Sequence, residues 1–302
     1  MTHTLDALQT ANCLPWAELV EEIASLLQDK SVNIPPRIVL PLGQGASLFV
    51  MPAVDSQTAI TKLITFTPAN ASRHWPTIQG DVIVFDISTG QRRLVLDGPT
   101  VTARRTAAVS VLAARRLAHD THASLLIVGA GVQGKAHLEA FSAVLGTRLV
   151  MIASRSLASA ELLAQHARLL GLKAQVVTDA DAALAMCPLA VTCTPANSIV
   201  LSAIPRQDAF ISAVGAFTPS MAELGFDLCR YMAKHGTVWL DTADAQHEAG
   251  DLLQAGLNLR QVATLGELVR HNTARPTGPV LFKSCGWAGW DLAAARLAMR
   301  LA

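Results

Sequence analysis

Cysteine is scarce in this sequence, and its spacing pairs none of it. Cys13, Cys187, Cys193, Cys229 and Cys285 make an odd set of five with no CxxC. A disulfide framework and a structural zinc site are both disfavoured, and the five read as small buried hydrophobes. Histidine clusters are missing too: nine His form no HExxH or HxH, and His119 with His122 reads as a solvated helix end. No metal is expected. Charge of one sign is also lacking, since 24 Lys and Arg stand against 23 Asp and Glu for a net charge of +1. That gives no electrostatic case for a nucleic-acid partner, which usually shows as a basic domain or stripe. No long hydrophobic run is free of breakers. The longest uncharged stretch, 182–205, carries Pro188, Pro195 and Pro205 and reads as strand–loop–strand rather than a membrane span. The first residues show no basic segment ahead of an apolar core, so the expectation is a cytoplasmic protein with no membrane partner.

What is present is aliphatic mass. The chain has 302 residues, 51% of them hydrophobic and only 16% charged, with a mean hydropathy of +0.36. That excludes a largely disordered chain and suffices for two ordinary domains. Residues 15–29 have helical spacing, with Leu19, Ile23, Leu26 and Leu27 on one face. Short apolar runs at 38–42, 47–51, 59–66, 81–86 and 93–96, separated by Gly, Pro, Asn and Asp, predict an antiparallel sheet. A long helix follows over 100–118. From 124 onward strands and helices alternate: strands at 124–128, 148–153, 174–177, 189–193, 210–214 and 237–240, helices at 134–145, 158–170 and 179–185. This order predicts parallel strands with helical crossovers. A last helix, 291–302, could return to the first domain.

The sharpest motif is Gly129-Ala-Gly131-Val132-Gln133-Gly134, after the apolar run 125–128 and at the start of a helix. A bare GxGxxG is weak, but this context is the one a dinucleotide site requires. Gly129 permits the tight turn, Gly131 lets the backbone approach a pyrophosphate, and Gly134 lets helix and strand pack closely. The helix N-terminus offers free N–H groups and partial positive charge. An acid that would bind a ribose 2′-hydroxyl is expected about 20 residues further on. Ser154, Arg155 and Ser156 stand there instead. A guanidinium flanked by hydroxyls suits a 2′-phosphate, which predicts NADPH, with NADH weaker.

These residues, with Pro36-Arg37, Met51-Pro52, Thr61-Lys62-Leu63, Pro76–Gly80, Leu96-Asp97-Gly98, Thr102–Ala108, Ala213–Ala216, Glu223-Leu224, Asp241, Phe282–Gly286 and Asp291, resemble the ornithine cyclodeaminase/mu-crystallin family over nearly the whole length. The resemblance implies an α/β fold. A Rossmann-type doubly wound parallel sheet (119–287) would bind the dinucleotide. An α+β substrate-binding and dimerisation domain (1–118, with helix 288–302 returning to it) would complete a homodimer. It also implies that Arg37, Lys62 and Arg105 bind a substrate carboxylate, with Lys62 and Arg105 in the catalytic role and Thr77 near the substrate. Thr106, Thr194, Val214, Ser284 and Gly286 would join the glycine loop around the cofactor. Glu223 and Asp241 read as structural supports, Trp287 and Trp290 as packing, and Lys283 as either near the cofactor or solvated.

One departure decides the chemistry expected. Members that cyclise ornithine carry Gly-x-Asp-x-Pro, whereas this chain reads Gly215-Ala216-Phe217-Thr218-Pro219. A phenyl ring at 217 can neither take a proton nor pair with an ammonium. Phe217 can supply apolar surface to a ring. The resemblance therefore points to the branch that reduces cyclic ketimines: Δ1-piperideine-2-carboxylate to L-pipecolate and Δ1-pyrroline-2-carboxylate to L-proline. An NAD-dependent cyclodeaminase, an alanine-dehydrogenase-like enzyme and a non-catalytic NADPH-regulated binding protein are the alternatives.

Overall fold

The structure is a computed structural model that describes residues 2–73, 75–195 and 198–302; Asn197, in the uncharged stretch, lies outside the described residues. The chain opens with β1 (His3–Thr4), α1 (Ala7–Asn12) and α2 (Trp16–Leu26). Next come β2 (Ile38–Gly43), β3 (Ala46–Val54), β4 (Thr58–Phe66), β5 (Ile78–Asp86), β6 (Arg92–Asp97) and α3 (Gly98–Leu117). They are followed by β7 (Leu125–Val128), α4 (Val132–Ala140), β8 (Leu149–Ala153), α5 (Leu157–Leu169), β9 (Lys173–Val177), α6 (Ala180–Leu184), β10 (Leu189–Thr192) and β11 (Phe210–Ala213). The remainder is α7 (Phe226–His235), β12 (Thr237–Leu240), α8 (Gly250–Gln254), α9 (Leu265–His271), β13 (Val280–Lys283) and α10 (Ala288–Leu301).

Two compact units result, one of residues 1–105 with 287–302, the other of 106–286. The division falls inside α3 rather than after it, at 118. The cause is local packing: Ser110, on the second half of α3, bonds to Ser212 and His137 of the second unit.

In the first unit, β2 to β6 form an antiparallel meander and β1 joins β6 in parallel, giving the order β1-β6-β5-β4-β3-β2. Alternation drives it: β4 buries Thr58, Ile60, Lys62 and Ile64 and turns the intervening residues outward. Helix α10 packs on α2, β3 and β4. Its outer side is fastened by ion pairs, Arg296 to Asp55 (2.5 Å) and Asp29 (2.6 Å), and Arg300 to Glu22 (2.5 Å). The edge strand β2 is exposed throughout.

In the second unit seven strands run parallel in the order β12-β13-β11-β10-β7-β8-β9. β7, β10, β11 and β13 are buried at every position, as strands covered on both faces are. The chain order reverses between β7 and β10, the place where doubly wound sheets bind ligands beyond their strand ends. The expected α/β class with a doubly wound sheet is thus present.

Several expectations need correction. The helix expected over 134–145 is α4 followed by one π-helical turn, Phe141–Leu145, ended by Gly146 at φ 74°. α3 stops at Leu117, so His119 and His122 lie in the loop beyond it, where the His119 ring is 3.1 Å from the Gly278 carbonyl. Cys13 and Cys193 are half-buried, unlike the other three cysteines. Among the described residues, no helix is long and apolar enough to cross a membrane.

Candidate active site

The first unit brings cations together around one carboxylate. Lys62 Nζ lies 3.1 Å from Asp291 Oδ1, and Arg105 Nε lies 3.3 Å from the same oxygen. All three are buried, Lys62 to 1% exposure and Asp291 to 0%. Each comes from a different element: an inward position of β4, the buried face of α3 between Val101 and Ala108, and the first turn of α10. A negative charge in that first turn also suits the helix dipole. Burial pushes the Lys62 ammonium down to about 8; the Asp291 carboxylate opposes the fall, and the guanidiniums of Arg105 and Arg37 add to it. Arg37 is therefore an electrostatic neighbour of Lys62 and is half-buried. Thr77, half-buried just ahead of β5, accepts a hydrogen bond at its carbonyl from Thr67. Its hydroxyl makes no hydrogen bond to the three cations among the described residues. Cations clustered like this repel one another and favour a ligand carboxylate, which a guanidinium can grip as a fork and an ammonium as a point charge.

The second unit carries the glycine loop at the end of β7. Gly129 has φ +116°, and a Cβ there would sit 2.8 Å from the Cys193 carbonyl oxygen at the end of β10. A Cβ on Gly134 would lie 2.0 Å from the Gly129 oxygen, so strand and helix can pack only without a side chain. Gly131, the residue that starts α4, is different: a Cβ there meets nothing within 4 Å. Space is kept open where the helix presents its free N–H groups, with Val132 71% exposed beside it. That arrangement fits the pyrophosphate of a dinucleotide. Gln133 is half-buried, and its backbone carbonyl accepts from His137 Nδ1 at 2.8 Å. At the end of β8, Ser154 is half-buried while Arg155 and Ser156 are exposed. Ser156 also caps α5, its hydroxyl accepting from Ser159 N.

Two buried carboxylates brace the loops that follow the other strands. Glu223, fully buried, accepts from Thr194 N (2.6 Å), Thr194 Oγ1 (2.8 Å), Thr192 Oγ1 (3.1 Å) and Gly215 N (2.7 Å). It ties the end of β10 to Gly215 just beyond β11, where Val214 N donates to the Thr192 carbonyl. Burial pushes its carboxyl up from the ordinary glutamate value. Asp241 Oδ2 accepts from Ser284 Oγ (2.8 Å), Cys285 N (3.0 Å) and Gly286 N (2.9 Å). The Ser284 hydroxyl and the Thr194 hydroxyl are thus donors to protein carboxylates. Lys283 is neither solvated nor open to a ligand: its ammonium is 0% exposed and 2.7 Å from Asp251. Burial pulls its pKa down, but the carboxylates of Asp251 and Glu223 outweigh that and leave it raised. Thr106 is buried at the start of the second unit. Phe217 is half-buried and packs against that unit's core. Trp287 and Trp290 pack edge to face, 4.9 Å between centroids.

The sequence reading passes over Asp291 as a member of the cation cluster. The available signal is Lys62 itself: an ammonium in the inward phase of an alternating strand needs a buried counter-charge. The sequence does not show which of the 23 acids supplies it.

Comparison with known proteins places these geometries in context. The model of the ornithine cyclodeaminase/mu-crystallin family matches residues 5–300. Δ1-Pyrroline-2-carboxylate reductase 1 of Burkholderia multivorans is 39% identical, covering 98% of this chain and 95% of its own length. A Δ1-pyrroline-2-carboxylate/Δ1-piperideine-2-carboxylate reductase of Azospirillum brasilense is 36% identical, covering 97% and 94%. Among solved structures, Δ1-pyrroline-2-carboxylate reductase of Thermococcus litoralis, in complex with NADH and L-proline, superimposes with a TM-score of 0.90. It is 22% identical and covers 98% of this chain and 96% of its own.

Proposed function

We propose, from the premise that this chain belongs to the ornithine cyclodeaminase/mu-crystallin family, that it is an NADPH-dependent reductase of cyclic ketimines. Its substrates are Δ1-pyrroline-2-carboxylate and Δ1-piperideine-2-carboxylate, and its products are L-proline and L-pipecolate. The observation that carries this reading is the convergence of Lys62 and Arg105 on one buried point, with Arg37 as electrostatic neighbour. Support comes from the relatives that share more than a third of its residues, which are named for these reactions.

The nicotinamide cofactor, when bound, supplies the hydride. The glycine loop Gly129–Gly134 with Val132 and Gln133 receives its pyrophosphate at the head of α4. Arg155, with Ser154 and Ser156, takes the 2′-phosphate. Thr106, Thr194, Val214, Ser284 and Gly286 border the remainder, with Thr194 held by Glu223 and with Ser284 and Gly286 held by Asp241. Arg105 and Arg37 grip the substrate carboxylate, and Thr77 borders it. Lys62 adds its charge to that grip, and with its pKa near 8 it stays largely charged near neutral pH. The balance is simple: the ketimine binds with its nitrogen protonated, C2 gains a hydride, and the C=N bond becomes a C–N bond, so that no further proton is required. Phe217 offers apolar surface to the ring methylenes and no acid–base group for deamination of ornithine.

The exposed edge strand β2 supports a homodimer. Ile38, Val39, Leu40 and Leu42 are 46–54% exposed, and an apolar edge of this kind is normally covered. Two copies of one edge are self-complementary about a twofold axis.

The test is a substrate panel followed by NADPH absorbance: freshly prepared five- and six-membered cyclic imino acids, pyruvate with ammonia, and ornithine with NAD. Consumption of NADPH with the imino acids is expected. Turnover of ornithine alone would overturn the reading.

A further inference from the structure

We propose that Asp291, in the first turn of the C-terminal helix, is the positioning residue of the cation cluster: its carboxylate draws Lys62 and Arg105 to one oxygen and offsets their charge, so that an imino acid can bind with its nitrogen protonated. This rests on the reductase reading above.

The geometry is asymmetric. Asp291 Oδ1 accepts a hydrogen bond from Lys62 Nζ at 3.1 Å and forms an ion pair with Arg105, whose Nε lies 3.3 Å away without a hydrogen bond among the described residues. Asp291 Oδ2 is buried and makes no hydrogen bond among the described residues. A fully buried carboxylate kept only to hold a fold has both oxygens satisfied as a rule, because leaving one bare is costly. Here one oxygen organises two cations and the other stays uncommitted. The helix that carries Asp291 is also anchored on its far side, through Arg296 and Arg300, to Glu22, Asp29 and Asp55. Asp291 is thereby fixed relative to β4 from outside the cluster.

Charge explains why the cluster needs an acid. The groups facing Lys62 are Asp291 from α10, Arg105 from α3 and Arg37 from the segment before β2. Three cations alone would welcome the substrate carboxylate but repel a protonated C=N, and hydride addition needs that nitrogen protonated. One resident carboxylate lowers the cluster's charge by one unit and leaves a surplus for the ligand's own carboxylate. The same carboxylate works against the burial that drags the Lys62 ammonium down. Without it, Lys62 loses its proton at lower pH. Activity that depends on charged Lys62 then ends earlier on the alkaline side.

The experiment is the pH profile of kcat/KM for Δ1-pyrroline-2-carboxylate with NADPH, in wild type, Asp291→Asn and Asp291→Glu, alongside NADPH affinity by fluorescence. Wild type should show an alkaline limb near pH 8. In Asp291→Asn that limb should move down by roughly 1–3 pH units. At each enzyme's optimum, kcat/KM should also fall roughly tenfold or more, mainly through substrate KM. NADPH affinity should stay unchanged. Asp291→Glu, which keeps the charge, should restore the limb while KM stays raised. If Asp291→Asn does not fold, the Glu variant decides alone: a KM equal to that of wild type overturns the proposal. An active wild type with Asn and wild-type profiles superimposed overturns it as well. Failure of wild type to reduce any cyclic ketimine is a separate result and removes the reductase reading itself.

Discussion

In β4 the inward positions run Thr58, Ile60, Lys62 and Ile64, so an ammonium stands where alternation calls for an aliphatic side chain. The cost of burying it is met by Asp291 at 3.1 Å, and its pKa of about 8 places the charge change within reach of neutral pH. On the proposed reductase reading, Lys62→Ala or Arg105→Ala removes a charge-assisted contact to the substrate carboxylate. Each should lower kcat/KM for the imine by roughly 10- to 100-fold, as steady-state kinetics would show, and leave NADPH affinity unchanged. The proposed NADPH preference rests on a second residue pair. Ser154→Asp sets a carboxylate beside Arg155, where it can bind a ribose hydroxyl and repel a 2′-phosphate. The ratio of kcat/KM with NADPH to that with NADH should fall well below the wild-type ratio. The glycine loop is legible in the sequence because glycines crowd at a strand end, whereas Arg37, Lys62 and Arg105 stand out only through the family resemblance, since each alone reads as an ordinary surface cation. Asp291 is not legible as their partner, since the contact joins positions 62 and 291 and no local pattern links them.

Between single residues and the whole chain, the readable elements are those with a period. The meander β2–β6, helix α3 and the alternation from β7 to β11 stand close to where apolar spacing puts them. β1 and β13 are missed for opposite reasons. β1 has only two residues. β13 is a four-residue buried run ending in Lys283, an ammonium whose burial depends on Asp251. It slots between β11 and β12, against the order of the chain, which strand patterns do not reveal. α7 also escapes, although Leu228, Cys229 and Met232 form its buried side.

One polar link between elements has a measurable consequence. His137 on α4 donates from Nδ1 to the Gln133 carbonyl, so its Nε2 accepts from Ser110 Oγ, which in turn accepts from Ser212 Oγ. This chain joins the glycine-loop helix to α3 and β11. Burial pushes the His137 imidazole down to about 4. The folded protein therefore holds it neutral, while the unfolded chain binds a proton below about 6.5. Its contribution to stability is complete above that value and is lost as pH falls toward 4, by up to roughly 1.4 kcal/mol per pH unit. Denaturant unfolding between those pH values should show a shallower pH dependence in His137→Gln than in wild type. Equal slopes would mean that His137 titrates normally in the folded state.

For the molecule as a whole, division of labour follows from the two units. One carries the cation cluster, assembled from β4, α3 and α10, and the other carries the glycine loop on a parallel sheet. Assembly belongs to this scale too. If β2 is the dimer edge, the paired substitution Leu40→Lys with Leu42→Lys should turn a dimer into a monomer by sedimentation without unfolding either unit. A dimer that persists would place the interface elsewhere. The central claim is that the ketimine carbon takes its hydride directly from reduced nicotinamide while Lys62 and Arg105 hold the carboxylate. It is tested most directly by reducing Δ1-pyrroline-2-carboxylate with NADPH deuterated at nicotinamide C4, using the cofactor deuterated on each face in turn. One face should deliver L-proline bearing deuterium at C2. Proline without label from either face, or no proline at all, would contradict it.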